Sequence, residues 1–374
     1  MPHYIWQRPA WPDFKWQSDL LLAPLGRARL RQGKLLSKAL ALGFDLGQQA
    51  QVEILTEEAV KTAAIEGESL DRGSVHSSAA RRLGLPTAGF PAAPRQVEGL
   101  VEVLLDSTRN YHEPLTAERL KGWQAALFPT GYSGMHRVRS GDWRGEETPM
   151  QVVSGPIGRE TVHYEAPPGA RIPAEVDGFL AWWMKSREAM DGLLRAGVAH
   201  FRFVTIHPFE DGNGRIVRAL TDMALAQDED LPARFYSLSS QIMAERDAYY
   251  AVLEKVQKGD GDITAWLEWF LGCFERAVER SEDLLAGVLS KARFWQRHAG
   301  AGISERQRKV LNRLLDAGPG GFEGGLTTRK YAGLAGVSKP TAQREIADLV
   351  DKGMLRQNPG SGRSTSYDVA WAED

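Results

Sequence analysis

His207-Pro-Phe-Glu-Asp-Gly-Asn-Gly-Arg-Ile-Val-Arg218 separates two runs of helical pattern. Upstream, Val198–Ile206 (VAHFRFVTI) is largely apolar. Downstream, Ile216, Leu220, Met223 and Ala224 fall on one face of a 3.6-residue period. The segment therefore reads as a loop that opens on a helix N-terminus. Gly212-Asn213-Gly214 can turn at positive φ and draw backbone N–H groups together. Those donors add to the positive end of the helix dipole to form an anion nest. Arg215 and Arg218 stand three apart on the following helix, within reach of the same anion. Asp211 offers one hard oxygen, enough for a magnesium ion that keeps most of its waters and takes its other ligands from phosphates. His207 can act as a general base near neutral pH. Each piece alone is common: a lone histidine beside an apolar run is usually structural, and two arginines on one helix face are usually solvated. A zinc or non-haem iron site would need a second histidine or an acidic cluster, and none lies nearby in the sequence. Base, carboxylate, nest and two arginines together predict a phosphate-handling active site.

The rest of the 374-residue chain is read outward from this loop. It opens with aromatic punctuation (Trp6, Trp11, Phe14, Trp16), expected in the core, and passes into an amphipathic helical pattern, LLLAPLGRARLRQGKLLSKALALGF. A second helix is expected over about Glu57–Glu66, with Thr56 as N-cap and Gly67 just past its end. Residues 71–96, rich in Gly, Ser, Pro and Ala, read as a connector. Helices are expected at Gln96–Asn110 and Thr116–Phe128, then a Gly-rich stretch from Gly131 to Gly145. Two alternating runs, Gln151–Val153 and Thr161–Tyr164, flank SGPIGRE and predict a β-hairpin, the one convincing hairpin signal before the C-terminal region. Helical pattern resumes over Pro173–Ala226, Ile242–Lys258 and Ile263–Phe294.

Lys+Arg 46 against Asp+Glu 48 leaves a net charge of −2, which gives no whole-chain argument for nucleic acid or membrane binding. The single Cys273 excludes an intrachain disulfide and any Cys-based cluster. The start lacks the pattern of a signal peptide, and no run of about 18 apolar residues occurs. A cytoplasmic, multi-domain, mostly helical protein with no membrane span is expected. His298-Ala-Gly-Ala-Gly302 reads as a linker, and residues 303–370 carry 11 Lys/Arg against 7 Asp/Glu. This region reads as a winged helix-turn-helix. Leu326–Ala335 would be one helix, Gly336-Val337-Ser338 the turn, Lys339–Lys352 the recognition-type helix, and Gly353–Val369 two strands around a Gly/Ser tip. Lys339, Thr341, Gln343 and Arg344 could face a groove of DNA, and Arg363 could reach phosphates. A protein-interaction or dimerisation module is the alternative.

HPFEDGNGRIVR resembles the signature of Fic-domain proteins, HxFx(D/E)GNGRxxR, with every fixed position met. The resemblance spans roughly residues 60–280. With the C-terminal reading, it implies a mainly α protein in three parts. These are an N-terminal helical region (residues 1–95) with an inhibitory helix at about 56–67, a Fic core (96–297) with a β-hairpin flap, and a winged helix (303–374). The implied activity is that of a protein adenylyltransferase, moving AMP from ATP, with Mg2+, onto a Tyr, Thr or Ser hydroxyl of a target protein. His207 would deprotonate that hydroxyl. Gly212, Asn213, Gly214, Arg215 and Arg218 would hold phosphates, Asp211 the metal, and Tyr249 and Tyr250 would meet the nucleoside. The 151–163 flap would hold the target by strand addition. A lysine replaces Gly214 in the kinase-like branch of the family, so the glycine points to AMP transfer.

Thr62-Ala-Ala-Ile-Glu66-Gly67 is similar to the (S/T)xxxE(G/N) inhibitory motif of the same family. A carboxylate in the last turn of a helix opposes the dipole, so stability alone does not ask for it. The resemblance implies that Glu66 pairs with Arg218 and withdraws it from the ATP γ-phosphate. Two alternatives stay open: a hydrolase that removes AMP with Glu66 positioning a water, and a DNA-binding regulator whose core senses ATP. Self-adenylylation and a homodimer are further expectations.

Overall fold

The apolar run and the periodic face on either side of the loop become a packed helix pair at the centre of the larger part of the molecule. The computed structural model describes all residues except 1–2, 43, 86–90, 147–148, 155–158, 160, 319–320, 360–364 and 372–374. The elements in chain order are α1 (Ser18–Leu40), α2 (Phe44–Ile65), α3 (Arg72–Arg82), α4 (Arg95–Arg109), α5 (Ala117–Leu127), β1 (Tyr132–Ser133), β2 (His136–Arg137), β3 (Gln151–Ser154) and β4 (Thr161–Glu165). They continue as α6 (Ile172–Ser186), α7 (Gly192–Ile206), α8 (Asn213–Glu229), α9 (Leu238–Ala244), α10 (Arg246–Gln257) and α11 (Thr264–Arg297). The last are α12 (Glu305–Ala317), α13 (Thr328–Ala335), α14 (Lys339–Asp351), β5 (Leu355–Gln357) and β6 (Tyr367–Val369). The fold is mainly helical, and each of its sheets among the described residues is a two-stranded antiparallel hairpin. The chain divides into two compact units, Met1–Ser281 and Glu282–Asp374. No described helix is long and apolar enough to cross a membrane.

In the first unit, α7 and α8 are buried almost all round: Ala196, Val198, Phe201, Phe203 and Ile206 on one, Ile216, Val217, Leu220 and Met223 on the other. Each phenylalanine removed from water contributes about 1.5–3 kcal/mol, more than the helix propensity that the aromatic and β-branched residues of α7 give up. Asp191 caps α7 by accepting from the N–H groups of Leu193 and Leu194 at 2.9 and 3.3 Å. At the start of α8 no side chain does this; its cap, Gly212, is in the left-handed region at φ +87°. Its first N–H groups are thus left for something else.

Three elements differ from the sequence reading. The second helix begins at Phe44, and Thr56 lies inside it, where its hydroxyl bonds back to Val52 O at 2.6 Å. The apolar residues between 44 and 56 pack α2 onto its neighbours, so the helix continues past the point where Thr56 offered a cap. The expected connector at 71–96 holds α3, capped by Asp71 accepting from Ser74 N–H at 2.7 Å. Its small residues do not break the helix; they bury it, with Val75, Ser78 and Ala79 fully inaccessible. The Gly-rich stretch holds a further hairpin, β1–β2, with Ser133 opposite His136.

The β3–β4 hairpin forms where expected, with Gln151 opposite Glu165 and Ser154 opposite Thr161. Its base is fixed from two sides. Tyr164 is buried and donates to Thr205 O at 2.6 Å, near the end of α7. The aromatic N-terminus covers it: Tyr4 meets Tyr164 edge-on at 5.2 Å, and Trp6 donates from Nε1 to Glu165 O at 2.8 Å.

The second unit has its own apolar core, with Leu311, Leu314, Tyr331, Ile346, Leu349 and Val369 buried together. Buried Glu345 ties its helices, accepting from Tyr331 Oη at 2.7 Å and Arg306 Nη2 at 3.0 Å.

α2 is seated by charge as well as packing. The buried Glu58 carboxylate accepts from Ser237 Oγ at 2.7 Å, from Ser239 N–H at 3.1 Å and from Ser239 Oγ, at the start of α9. Glu58→Ala leaves these donors without their acceptor and should lower unfolding stability by about 2–3 kcal/mol. Arg31→Ala, which removes an exposed pair with Glu279, should change it by less than about 1 kcal/mol. Urea unfolding midpoints of both variants check this, and equal shifts would refute the assignment.

Candidate active site

α7 ends at Ile206, and His207 then takes a left-handed backbone, φ +52° and ψ +59°, uncommon for any residue with a Cβ. Arg144 holds it there. Its Nε donates to His207 O at 2.7 Å, its backbone N–H to Pro208 O at 2.9 Å, and its Nη2 to Pro167 O. The surroundings thus fix a conformation the chain would not choose by itself. His207 Nδ1 faces Val204 O at 3.3 Å. With the hydrogen on Nδ1, Nε2 is the free acceptor. Burial pulls the imidazole down to about 4; the Arg144 charge adds to this, and the Val204 carbonyl opposes it. His207 is therefore neutral at pH 7, the state a base requires. Phe209 is fully buried against Trp143 at 4.7 Å and anchors the loop.

Asn213 spends its side chain on the loop itself, its Oδ1 accepting from Phe209 N–H at 2.9 Å and its Nδ2 donating to Phe209 O at 2.8 Å. What it can offer an anion is its backbone N–H in the first turn of α8. Arg218, one turn further on, is 2% exposed. Its Nε donates to Thr62 Oγ1 at 2.5 Å, and its Nη2 donates to Thr62 O at 2.9 Å and to Glu66 Oε1 at 2.8 Å. A methyl group on Gly214 would overlap that same Glu66 oxygen. The Glu66 carboxylate thus lies against the N-terminus of α8, where the dipole and the N–H groups favour negative charge. Arg215 also has an acidic partner, with Nη1 3.1 Å from Glu68 Oε2, and its guanidinium lies over the Phe128 ring at 4.9 Å. Asp211 Oδ1 accepts from Gly212 N–H at 2.5 Å and lies 3.9 Å from Arg215 Nη2. Among the described residues no cluster of three or more His, Cys, Asp or Glu could hold a metal. A single carboxylate, 40% exposed, fits a hydrated magnesium carried in by phosphates rather than an ion caged by the protein.

Tyr249 is corrected from a nucleoside contact to a core residue. It is 2% exposed, its hydroxyl shares a 2.9 Å bond with His200 Nε2, and its ring packs against Trp269. It is buried next to the site: the Arg218 and Glu66 charges act on its phenol as well as on that of Tyr250. Tyr250 is half-buried, under the Arg246 guanidinium at 5.2 Å. Burial and the nearby Glu66 raise its phenol pKa. Much of the SGPIGRE tip of the flap lies outside the described residues, but its base is placed by His163, whose Nδ1 is 2.7 Å from Glu254 Oε2 on α10.

Three residues of the site escaped the sequence reading: Arg144, Glu68 and Arg246. Arg246 Nε donates to Ile65 O at 3.0 Å, closing the C-terminal end of α2. Glu68, two residues past Glu66, could have been found by asking what neutralises Arg215. Arg144 lies 63 residues from His207 in a stretch without regular pattern, and nothing local marks it.

Residues 114–225 match the Fic/DOC family, and residues 4–85 match a domain of unknown function, DUF4172. The segment matched by the Fic/DOC family contains the loop described above. It is 27% identical over 145 residues to a probable protein adenylyltransferase of Aquifex aeolicus, covering 36% of this chain and 45% of that protein. It is 30% identical over 111 residues to a protein adenylyltransferase Fic of Nematostella vectensis, covering 29% of this chain and 24% of that one. The chain thus spans less than half the length of either relative. Its fold is similar to the crystal structure of a Fic family protein from Desulfovibrio desulfuricans, with a TM-score of 0.54, 18% identity, and coverage of 95% of this chain and 97% of that one.

The lowered pKa of His207 fixes a pH sign. The unfolded chain takes up the proton near pH 6.5, whereas the folded site refuses it until about 4. The group's contribution to stability therefore falls as pH drops through that interval. NMR of the imidazole, assigned by loss of its signal in His207→Ala, should show a neutral ring throughout pH 5.5–8. A titration centred near 6.5 would contradict the buried assignment.

Proposed function

We propose that this protein is a protein adenylyltransferase that moves AMP from ATP to a Tyr, Thr or Ser hydroxyl of a target protein and is held in check by Glu66. The observation that carries this reading is the Glu66 carboxylate at the head of α8, bonded to Arg218 and pressed against Gly214. A carboxylate has taken the place that the helix N-terminus and the guanidinium offer to a phosphate. The match of the loop segment to the Fic/DOC family and the adenylyltransferase relatives support the same reading.

In this reading the target hydroxyl gives its proton to His207 Nε2 and its oxygen bonds to the α-phosphorus, while the bond from that phosphorus to the bridging oxygen breaks and pyrophosphate leaves. A positioned base contributes about 10²–10⁴ in rate. The N–H groups of Asn213–Arg215 and the two guanidinium groups stabilise the charge that develops on the phosphoryl oxygens. Asp211 would be the protein's ligand to the magnesium that accompanies ATP and neutralises its charge. Arg144 and Phe209 position the loop and take no part in the chemistry. The β3–β4 hairpin, with Val153 and Val162 paired across it and exposed, suits a target segment added as a further strand. Relief through self-association and modification of the protein's own chain belong to the same reading, as does a cytoplasmic setting, which the lone and buried Cys273 fits.

Transfer of label from α-labelled ATP with magnesium tests this directly. Glu66→Gly should label itself or lysate proteins at least ten-fold more strongly than wild type, and His207→Ala in the Glu66→Gly background should label nothing. Release of AMP from a modified protein by wild type but not by Glu66→Ala would instead favour a hydrolase. No transfer by any variant would discard the adenylyltransferase reading.

A second reading concerns residues 303–370, which we take as a winged helix-turn-helix. The observation favouring DNA as its ligand is the exposed N-terminal half of α14, where Lys339, Gln343 and Arg344 lie ahead of the helix's carboxylates, of which Glu345 is buried and Asp348 pairs with Lys352. Thr341 is half-buried at the Ser338 cap, and Arg363 lies outside the described residues. Duplex DNA binding should be salt-dependent and weaken at least ten-fold on joint replacement of Lys339 and Arg344 by Ala. Binding that ignores both replacements would leave a protein-interaction module.

A further inference from the structure

The acidic gate at the head of α8 extends beyond Glu66. α2 ends at Ile65, and the next three residues close a Schellman turn: Gly67 N–H donates to Ala64 O and Glu68 N–H to Ala63 O, each at 3.0 Å. Gly67 stands at φ +82°, a conformation the turn requires and glycine takes freely. The turn sets Glu66 and Glu68 on one helix cap, and the two carboxylates reach different arginines of the loop: Glu66 takes Arg218 at 2.8 Å, Glu68 takes Arg215 at 3.1 Å. Both guanidinium groups are buried, 2% and 6% exposed at the side chain, whereas the carboxylates are 31% and 44% exposed. Arg215 Nε is buried and finds no hydrogen-bond partner. It is a cation with donors to spare, and Glu68 engages it from one side only.

We propose that Glu68 is a second gate residue, occupying Arg215 as Glu66 occupies Arg218, so that a nucleotide must displace two carboxylates carried on one helix cap. This rests on the reading of the α8 head as a nucleotide phosphate site. The two contacts differ in strength. The Glu66 pair is reinforced by Thr62 on a nearly inaccessible arginine; the Glu68 pair is open to water and salt on its acidic side. With its carboxylate open to solvent screening, such a pair is worth about 1 kcal/mol, a factor of about five in affinity. Glu68 therefore tunes the gate and Glu66 closes it.

Calorimetric titration of the full chain with Mg–ATP tests this, using Glu66→Gly, Glu68→Gln, Glu66→Gly/Glu68→Gln, and the Arg215→Gln variants of wild type and of each of these three. Glu68→Gln should tighten ATP about two- to five-fold in the Glu66→Gly background, and the gain should shrink at about 1 M salt, where the Debye length is ~3 Å. With Arg215 replaced by Gln, Glu68→Gln should do nothing further. An unchanged affinity in the Glu66→Gly background overturns the proposal, as does a gain of the same size whether or not Arg215 is present. If Glu66→Gly itself fails to gain affinity, the reading of Glu66 fails instead. The Glu68–Arg215 coupling is then still read from the pair of Glu68 variants with and without Arg215.

Discussion

The first turn of α8 must meet negative charge. It has no side-chain cap, its leading N–H groups have no carbonyl within the helix, and two buried arginines lie within its first two turns. Burying guanidinium groups without partners costs several kcal/mol each. The surrounding structure answers that need with carboxylates from the end of α2. It gives no methyl group at position 214, where one would push the Glu66 carboxylate away. His207, the residue that closes α7, is held in a left-handed conformation on the other side of the same short loop.

Different contacts hold the two regions of α2. Around Glu57 and Glu58 it is bound to the start of α9 through buried serine hydroxyls and one backbone N–H. At its end it is bound by Thr62, Glu66 and Glu68 to the arginines of the loop and by Arg246 to the Ile65 carbonyl. The first set is structural and gains nothing from a ligand. The second includes two charge pairs, Glu66–Arg218 and Glu68–Arg215, in which phosphate oxygens could replace the carboxylates. Fraying of the last turn, anchored at Glu58, is a smaller rearrangement than undocking the helix.

The loop was readable because its chemistry is contiguous: base, carboxylate, glycines and arginines fall within twelve residues, and the apolar runs on both sides impose helices. The hairpin at 151–165 was readable from alternation, and the ends of α4 and α5 from periodicity. What escaped has a common cause. The length of α2, the helical state of α3 and the roles of Arg144 and Glu68 are decided by residues distant in sequence. Thr56 has the chemistry of a cap, but packing upstream continues the helix and turns its hydroxyl onto Val52 O. GSVHSSAA has the composition of a linker, but small residues also let helices approach closely, and here they do. Tyr249 and Tyr250 are adjacent, and a helix sends adjacent side chains about 100° apart, so Tyr249 is fully buried where Tyr250 is half-buried.

A gate of carboxylates on buried arginines has an asymmetry that bears on its control. Opened with nothing to replace it, the Glu66 contact leaves Arg218 buried with only Thr62 as partner, and breaking a buried pair in this way costs about 3–5 kcal/mol. Opened by exchange, each carboxylate gives way to a phosphate oxygen of equal or greater charge, and the cost is only the difference between the two sets of bonds. If Glu66 is the gate proposed above, opening it without a replacement therefore costs much more than exchanging it for a nucleotide. A ligand or partner that loosens the Gly67 turn need supply only that difference. Since both acids ride on one turn, a small change in its backbone reaches Arg215 and Arg218 together, whereas the Glu58 anchor limits how far the change travels back along α2.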